Sequence, residues 1–225
     1  MALQAITIPP ATGNPPQGLI VILHGWGASA QDVLSLASLI DLPNDQLVFP
    51  DAPFAHPYAA GGRMWYDFPS HFSFQSTPEF RVGEASPMEN REDLSTSRQR
   101  LTDFLKALEA STGVPLSQTI LGGFSQGGAM TLDVGLGLPL AGLMVLSGYL
   151  HAPIAPPQNP IPPVLMVHGT QDLVVPLAAA QQARSSLERL GAKVQYQEFE
   201  MGHEIPLIVL KKIQSFVEEL LPDNK

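Results

Sequence analysis

The 225-residue sequence predicts an α/β fold, a mostly parallel central sheet with helices on both faces and no large lid domain. Two observations predict it. Short, β-branched apolar runs alternate with longer stretches of helical periodicity along the chain. Neither an internal repeat nor a second-domain boundary interrupts that alternation, so residues 1–225 are expected to form one domain.

The elements follow in order. Residues 19–23 form a buried strand that ends in His24-Gly25-Trp26-Gly27. A helix runs from Ser29 or Ala30 to Ile40, with Ser29 placed to cap it. Residues 46–49 form a strand closed by Pro50-Asp51-Ala52-Pro53. Residues 54–87 are irregular and rich in Gly, Pro and aromatics, and loops of that length usually serve function. Residues 88–110 read as an amphipathic helix, with Leu94, Leu101, Leu105 and Leu108 near helical spacing. Strands at 119–124, 143–146, 164–167 and 194–199 then alternate with helices at 126–136, 177–190 and 205–221. A proline-rich loop spans 151–163, and Gly191 stops the helix before it.

Composition removes several functions. The net charge of −9 and the scattered Lys and Arg argue against binding nucleic acid or an anionic lipid surface. The 22 prolines punctuate loops and element starts. With no cysteine there is no disulfide, no thiolate nucleophile and no cysteine-ligated metal. The N-terminal residues show no signal-peptide pattern, and no apolar run approaches the roughly 20 residues of a membrane helix. A cytoplasmic protein without stable membrane insertion is the expectation.

The chemistry is concentrated at Gly123-Phe124-Ser125-Gln126-Gly127-Gly128. Gly-x-Ser-x-Gly between a strand and a helix is a nucleophile elbow. The serine must stand on a sharp turn, and its small neighbours let strand and helix pack around it. The helix that follows aims its positive end at the reacting centre. Serine needs a base, and the base needs a third group to hold it. Asp172, after the 164–167 strand, and His203, after the 194–199 strand, supply both in the chain order Ser, Asp, His. A turn carboxylate and a helix-capping histidine are the plainer readings of these two. Two backbone donors should hold the oxyanion, the N–H of Gln126 and that of Trp26.

The other histidines have structural roles in this reading: His24 and His168 on loop backbone, His56, His71 and His151 at the surface or rim. None has metal-ligand spacing with nearby carboxylates, so neither a catalytic metal nor a cofactor is expected.

Six blocks in consistent order resemble the phospholipase/carboxylesterase family of α/β-hydrolases, which includes acyl-protein thioesterases and small bacterial carboxylesterases. They are Leu23-His24-Gly25-Trp26-Gly27, Phe49-Pro50-Asp51-Ala52-Pro53, Met64-Trp65-Tyr66-Asp67, Gly122 to Met130 around the elbow, His168-Gly169-x-x-Asp172-x-Val174-Val175-Pro176, and Gly202-His203. The resemblance implies hydrolysis of carboxylic esters, with thioesters or lysophospholipids taken by some relatives. It also implies the triad Ser125, Asp172 and His203 and the oxyanion donors Trp26 and Gln126. Trp26 stands where relatives often have Leu, and Ala28 where Asp is frequent.

The expected enzyme is a serine carboxylesterase for short- to medium-chain esters, working as a monomer or weak homodimer on a small-molecule ester. The rivals are a thioesterase or lysophospholipase for long acyl chains, a peptidase on the same triad, and an inactive hydrolase-like binding module. Trp65, Phe68, Phe72 and Phe74 are expected to line the acyl site; anchoring the long loop to the core is the alternative for them.

Overall fold

The computed structural model describes residues 2–68, 91–152, 154 and 160–221. Its centre is a seven-stranded sheet in the order β1-β3-β2-β6-β7-β8-β9. The strands are β1 (Ala5–Ile8), β2 (Gly18–Leu23), β3 (Asp45–Pro50), β6 (Thr119–Phe124), β7 (Gly142–Leu146), β8 (Val164–Gly169) and β9 (Val194–Phe199). Only β1 runs antiparallel to its neighbour; the other pairings in this sheet are parallel. Two short strands, β4 (Phe54–Ala55) and β5 (Arg63–Met64), form a separate hairpin within the stretch expected to be irregular.

Strand periodicity sorts the core into two faces. Val21, Leu23, Leu121, Val145 and Met166 face α2 (Glu92–Thr112), α3 (Gln126–Gly135) and α4 (Leu177–Arg189) through Leu94, Leu101, Met130, Ala183 and Leu187. Ile20, Ile22, Ile120, Met144, Leu165 and Val167 face α1 (Ala30–Leu34) and α5 (Leu207–Leu220) through Val33, Val209, Ile213, Phe216 and Val217. Burial on both faces is why these strands read as unbroken apolar runs.

The helix expected to reach Ile40 is shorter. After Leu34 the chain tightens into a 3₁₀ turn, Ser35–Leu39. The hydroxyls of Ser35 and Ser38 bond the carbonyls of Asp32 and Ser35, a local alternative to the α-helical ladder. At its start the Asp32 carboxylate accepts the Ser29 N–H at 2.8 Å, and the Asp51 carboxylate accepts the Ala30 N–H.

Because β2, β6, β7, β8 and β9 are parallel, their C-terminal ends share one edge of the sheet. The loops after these strands, with Ser125, Asp172 and His203 on three of them, therefore gather there. No helix among the described residues is long and apolar enough to cross a membrane.

Candidate active site

Ser125 joins β6 to α3 at φ 55°, ψ −117°. A non-glycine residue at positive φ stores about 1–3 kcal/mol, held only where the surroundings over-determine it. Here they do. The Ser125 N–H bonds the carbonyl of Leu146 at 2.9 Å, and its own carbonyl accepts the Ala129 N–H at 3.1 Å. The elbow closes only with glycine on either side. A Cβ on Gly123 would collide with the Gly127 backbone, and one on Gly127 with the Leu23 carbonyl.

The Asp172 side chain is fully buried. Its Oδ1 accepts the N–H groups of Val174 (2.9 Å) and Val175 (2.8 Å), which locks the carboxylate in place. Its Oδ2 lies 2.7 Å from Nδ1 of His203. A carboxylate accepts only, so Nδ1 is the donor, and in the neutral ring Nε2 keeps its lone pair. The His203 ring packs against Phe124, the residue before the serine, with centroids 4.6 Å apart. Gly25 also approaches closely: a Cβ there would lie 3.3 Å from that of Ser125.

Two further histidines behave as expected and are held neutral. Burial lowers the pKa of His24, whose Nε2 accepts the Ala52 N–H at 3.0 Å. Burial also lowers that of His168, whose Nε2 donates to the Val175 carbonyl at 2.9 Å and sits 3.5 Å from Asp172 Oδ2. A neutral His168 helps cradle the carboxylate without cancelling its charge.

Among the described residues, no acceptor takes the backbone N–H of Trp26 or of Gln126. Trp26 is 39% exposed, its ring edge-on to His56 (4.1 Å) and Phe68 (5.6 Å). Leu173 and Val174, just after Asp172, and Leu207 and Ile208, just after His203, are also exposed. Apolar side chains thus flank the edge where the three polar residues lie.

Two expectations need correction. Trp65 is completely buried, and its indole N–H donates to the His24 carbonyl at 3.0 Å. It anchors the loop to the core and cannot form the wall of an open site. His151 lies inside the protein, not at the rim. Its Nδ1 meets the Tyr66 hydroxyl at 3.2 Å and its Nε2 meets Asp133 at 3.3 Å. Phe68 remains half-buried beside Trp26 and Tyr66. Phe72, Phe74 and His71 lie outside the described residues. No cluster of three metal-ligating side chains occurs among the described residues.

Sequence reasoning also missed the Gln126 carboxamide, which meets the backbone of Trp65 and Tyr66. It lies in the elbow motif, but nothing local says where an amide will point. The packing of Phe124 on His203 was missed for the same reason.

This parallel sheet, with its strained serine between β6 and α3, is the α/β-hydrolase fold. The chain belongs to the phospholipase/carboxylesterase family, whose model matches residues 6–221. It is thus an enzyme of the carboxylic ester hydrolase class. It is 31% identical to acyl-protein thioesterase 1 of Neurospora crassa, over 88% of this chain and 82% of that protein. It is 29% identical to carboxylesterase SOBER1 of Arabidopsis thaliana, over 90% of each. Among solved structures it resembles esterase PE8 at a TM-score of 0.83 and 29% identity, over 98% of this chain and 100% of that one.

Proposed function

We propose that the chain hydrolyses short- to medium-chain carboxylic esters through Ser125, His203 and Asp172. One observation supports this reading: the 2.7 Å Asp172–His203 hydrogen bond, on a ring packed against Phe124, the residue before Ser125. Nε2 takes the Ser125 proton as Oγ attacks the ester carbonyl. The N–H groups of Trp26 and Gln126 receive the charge that develops on the carbonyl oxygen. The imidazolium, stabilised by Asp172, protonates the departing alcohol, and water repeats the sequence on the acyl-enzyme. Phe68 and the Trp26 ring border the acyl group, and the exposed residues after Asp172 and His203 extend that apolar surface.

Several relatives, those of Neurospora crassa and Saccharomyces cerevisiae among them, are named acyl-protein thioesterase, which keeps long acyl chains and thioesters as the second reading. Both readings are tested by kcat/KM on p-nitrophenyl esters of increasing acyl length, beside Ser125→Ala. Activity that peaks at short chains and disappears in the variant supports the first. A peak at long chains supports the second. An inert wild-type chain, or activity that survives in Ser125→Ala, rejects both.

A further inference from the structure

The two proposed oxyanion donors belong to different elements. Trp26 lies in the loop after β2, and Gln126 opens α3. Their separation must be set before the reaction begins, because donors that reorganise during it lose most of their value. Residues 63–66 touch both.

On the Trp26 side, Arg63 exchanges two backbone hydrogen bonds with the loop: Gly27 N–H to Arg63 O at 2.9 Å, and Arg63 N–H to Ala28 O at 2.8 Å. The Trp65 indole adds its bond to the His24 carbonyl. On the α3 side, the completely buried Gln126 side chain uses both ends of its amide. Oε1 accepts the Trp65 N–H at 2.9 Å, and Nε2 donates to the Tyr66 carbonyl at 2.7 Å. The hydroxyl of Ser97 bonds the Trp65 carbonyl between them.

We infer that the Gln126 side chain is a positioning residue for the oxyanion hole. Its carboxamide ties the 63–66 strip to α3, and that strip is in turn tied to the Trp26 loop, so one side chain sets the spacing of two backbone donors. The strip needs an acceptor for one N–H and a donor for the next carbonyl, at amide spacing. Ionised Glu accepts only, Asn is one carbon shorter, and Met has neither group. The inference rests on the proposed function, since it presumes that Ser125 generates an oxyanion there.

The test is Gln126→Met, which keeps the length of the side chain, with Gln126→Glu, which keeps the acceptor alone. Each is checked for a cooperative thermal transition. Ester kinetics are compared with inhibition by a trifluoromethyl ketone, to which Ser125 Oγ adds while its proton passes to His203 and the ketone oxygen takes the negative charge. Misplaced donors should lower kcat about 10- to 100-fold and weaken the ketone by a similar factor, with KM changed by less than about twofold. The inference is overturned if a folded variant keeps kcat and ketone affinity within about threefold of wild type, or if KM alone moves. A wild-type chain that neither hydrolyses esters nor binds the ketone would instead sink the proposed function.

Discussion

Two aspartates in this protein each meet a histidine, and the surroundings of the two pairs differ. Asp172 is met by two backbone N–H groups and by His203 at 2.7 Å, with the neutral His168 beside it. Asp133 is met by a two-pronged Arg98, at 2.5 and 2.9 Å, and by His151 at 3.3 Å. Burial works to raise the Asp133 pKa, but hydrogen bonds and charge from His151 and Arg98 overcome it and bring it down to about 2. The second nitrogen of His151 meets the Tyr66 hydroxyl, which itself bonds Tyr149 at 2.7 Å. The second nitrogen of His203 is on a ring packed against Phe124, the residue before the elbow serine. An Asp–His pair makes a general base only when no cation neutralises the carboxylate and the far nitrogen faces a nucleophile. The Asp133 network fails both conditions and instead fastens α2 to α3 and to the loop after β7.

The largest effect that sharpens this contrast is catalytic. Asp172→Asn presents an amide donor to Nδ1 and favours the wrong tautomer, so kcat/KM should fall about 10⁴-fold in a protein that still folds. A loss of under about tenfold would mean that His203 needs no carboxylate partner.

The matching change in the other pair acts on stability. Asp133→Asn removes the carboxylate that Arg98, about a third exposed, and the buried His151 both meet. Denaturant unfolding should show a loss of about 2–3 kcal/mol, with activity per folded molecule retained. If activity collapsed and stability held, the contrast between the pairs would be wrong.

Acid should separate the groups by pH. His24 and His168 have folded pKa values below the ordinary 6.5, chiefly through burial. The stability gained by keeping them neutral is complete above pH 6.5, and it is lost as pH falls through their depressed folded values. The Asp133 contribution is complete above its unfolded value of 3.8 and is lost as pH falls through about 2. Melting temperature should therefore decline first below pH 6.5; Asp133→Asn should lower it throughout the neutral range and remove the part of the decline that falls below pH 3.8.

The smallest effect concerns substrate length. Phe68→Ala removes a ring that meets Trp26 and Tyr66. It should shift relative kcat/KM toward longer acyl chains by about 1 kcal/mol. An unchanged chain-length profile would make Phe68 a loop anchor only.

Most of the sheet was legible because strands buried on both faces leave unbroken apolar runs. β1 was not: Ala5–Ile8 is an antiparallel edge strand, largely exposed, and carries no such run. β4 and β5 are two residues each, too short for any periodicity to register. The misplaced Trp65 has the same origin. An aromatic in a loop reads alike whether it walls a pocket or plugs the core, and only its bond to His24, 41 positions away, decides between them.

The sequence by itself determined the strand–turn–helix around Ser125, the glycines that turn demands, and the order in which Asp172 and His203 follow it. These are local features, written in neighbouring residues and in the periodicity of each element. The tertiary structure alone decided that Gln126 grips Trp65 and Tyr66 from about 60 positions away, and that Asp133 takes Arg98 and His151. Each of those contacts depends on which faces the sheet and helices present to one another, and no local pattern encodes a side chain's partner across that distance.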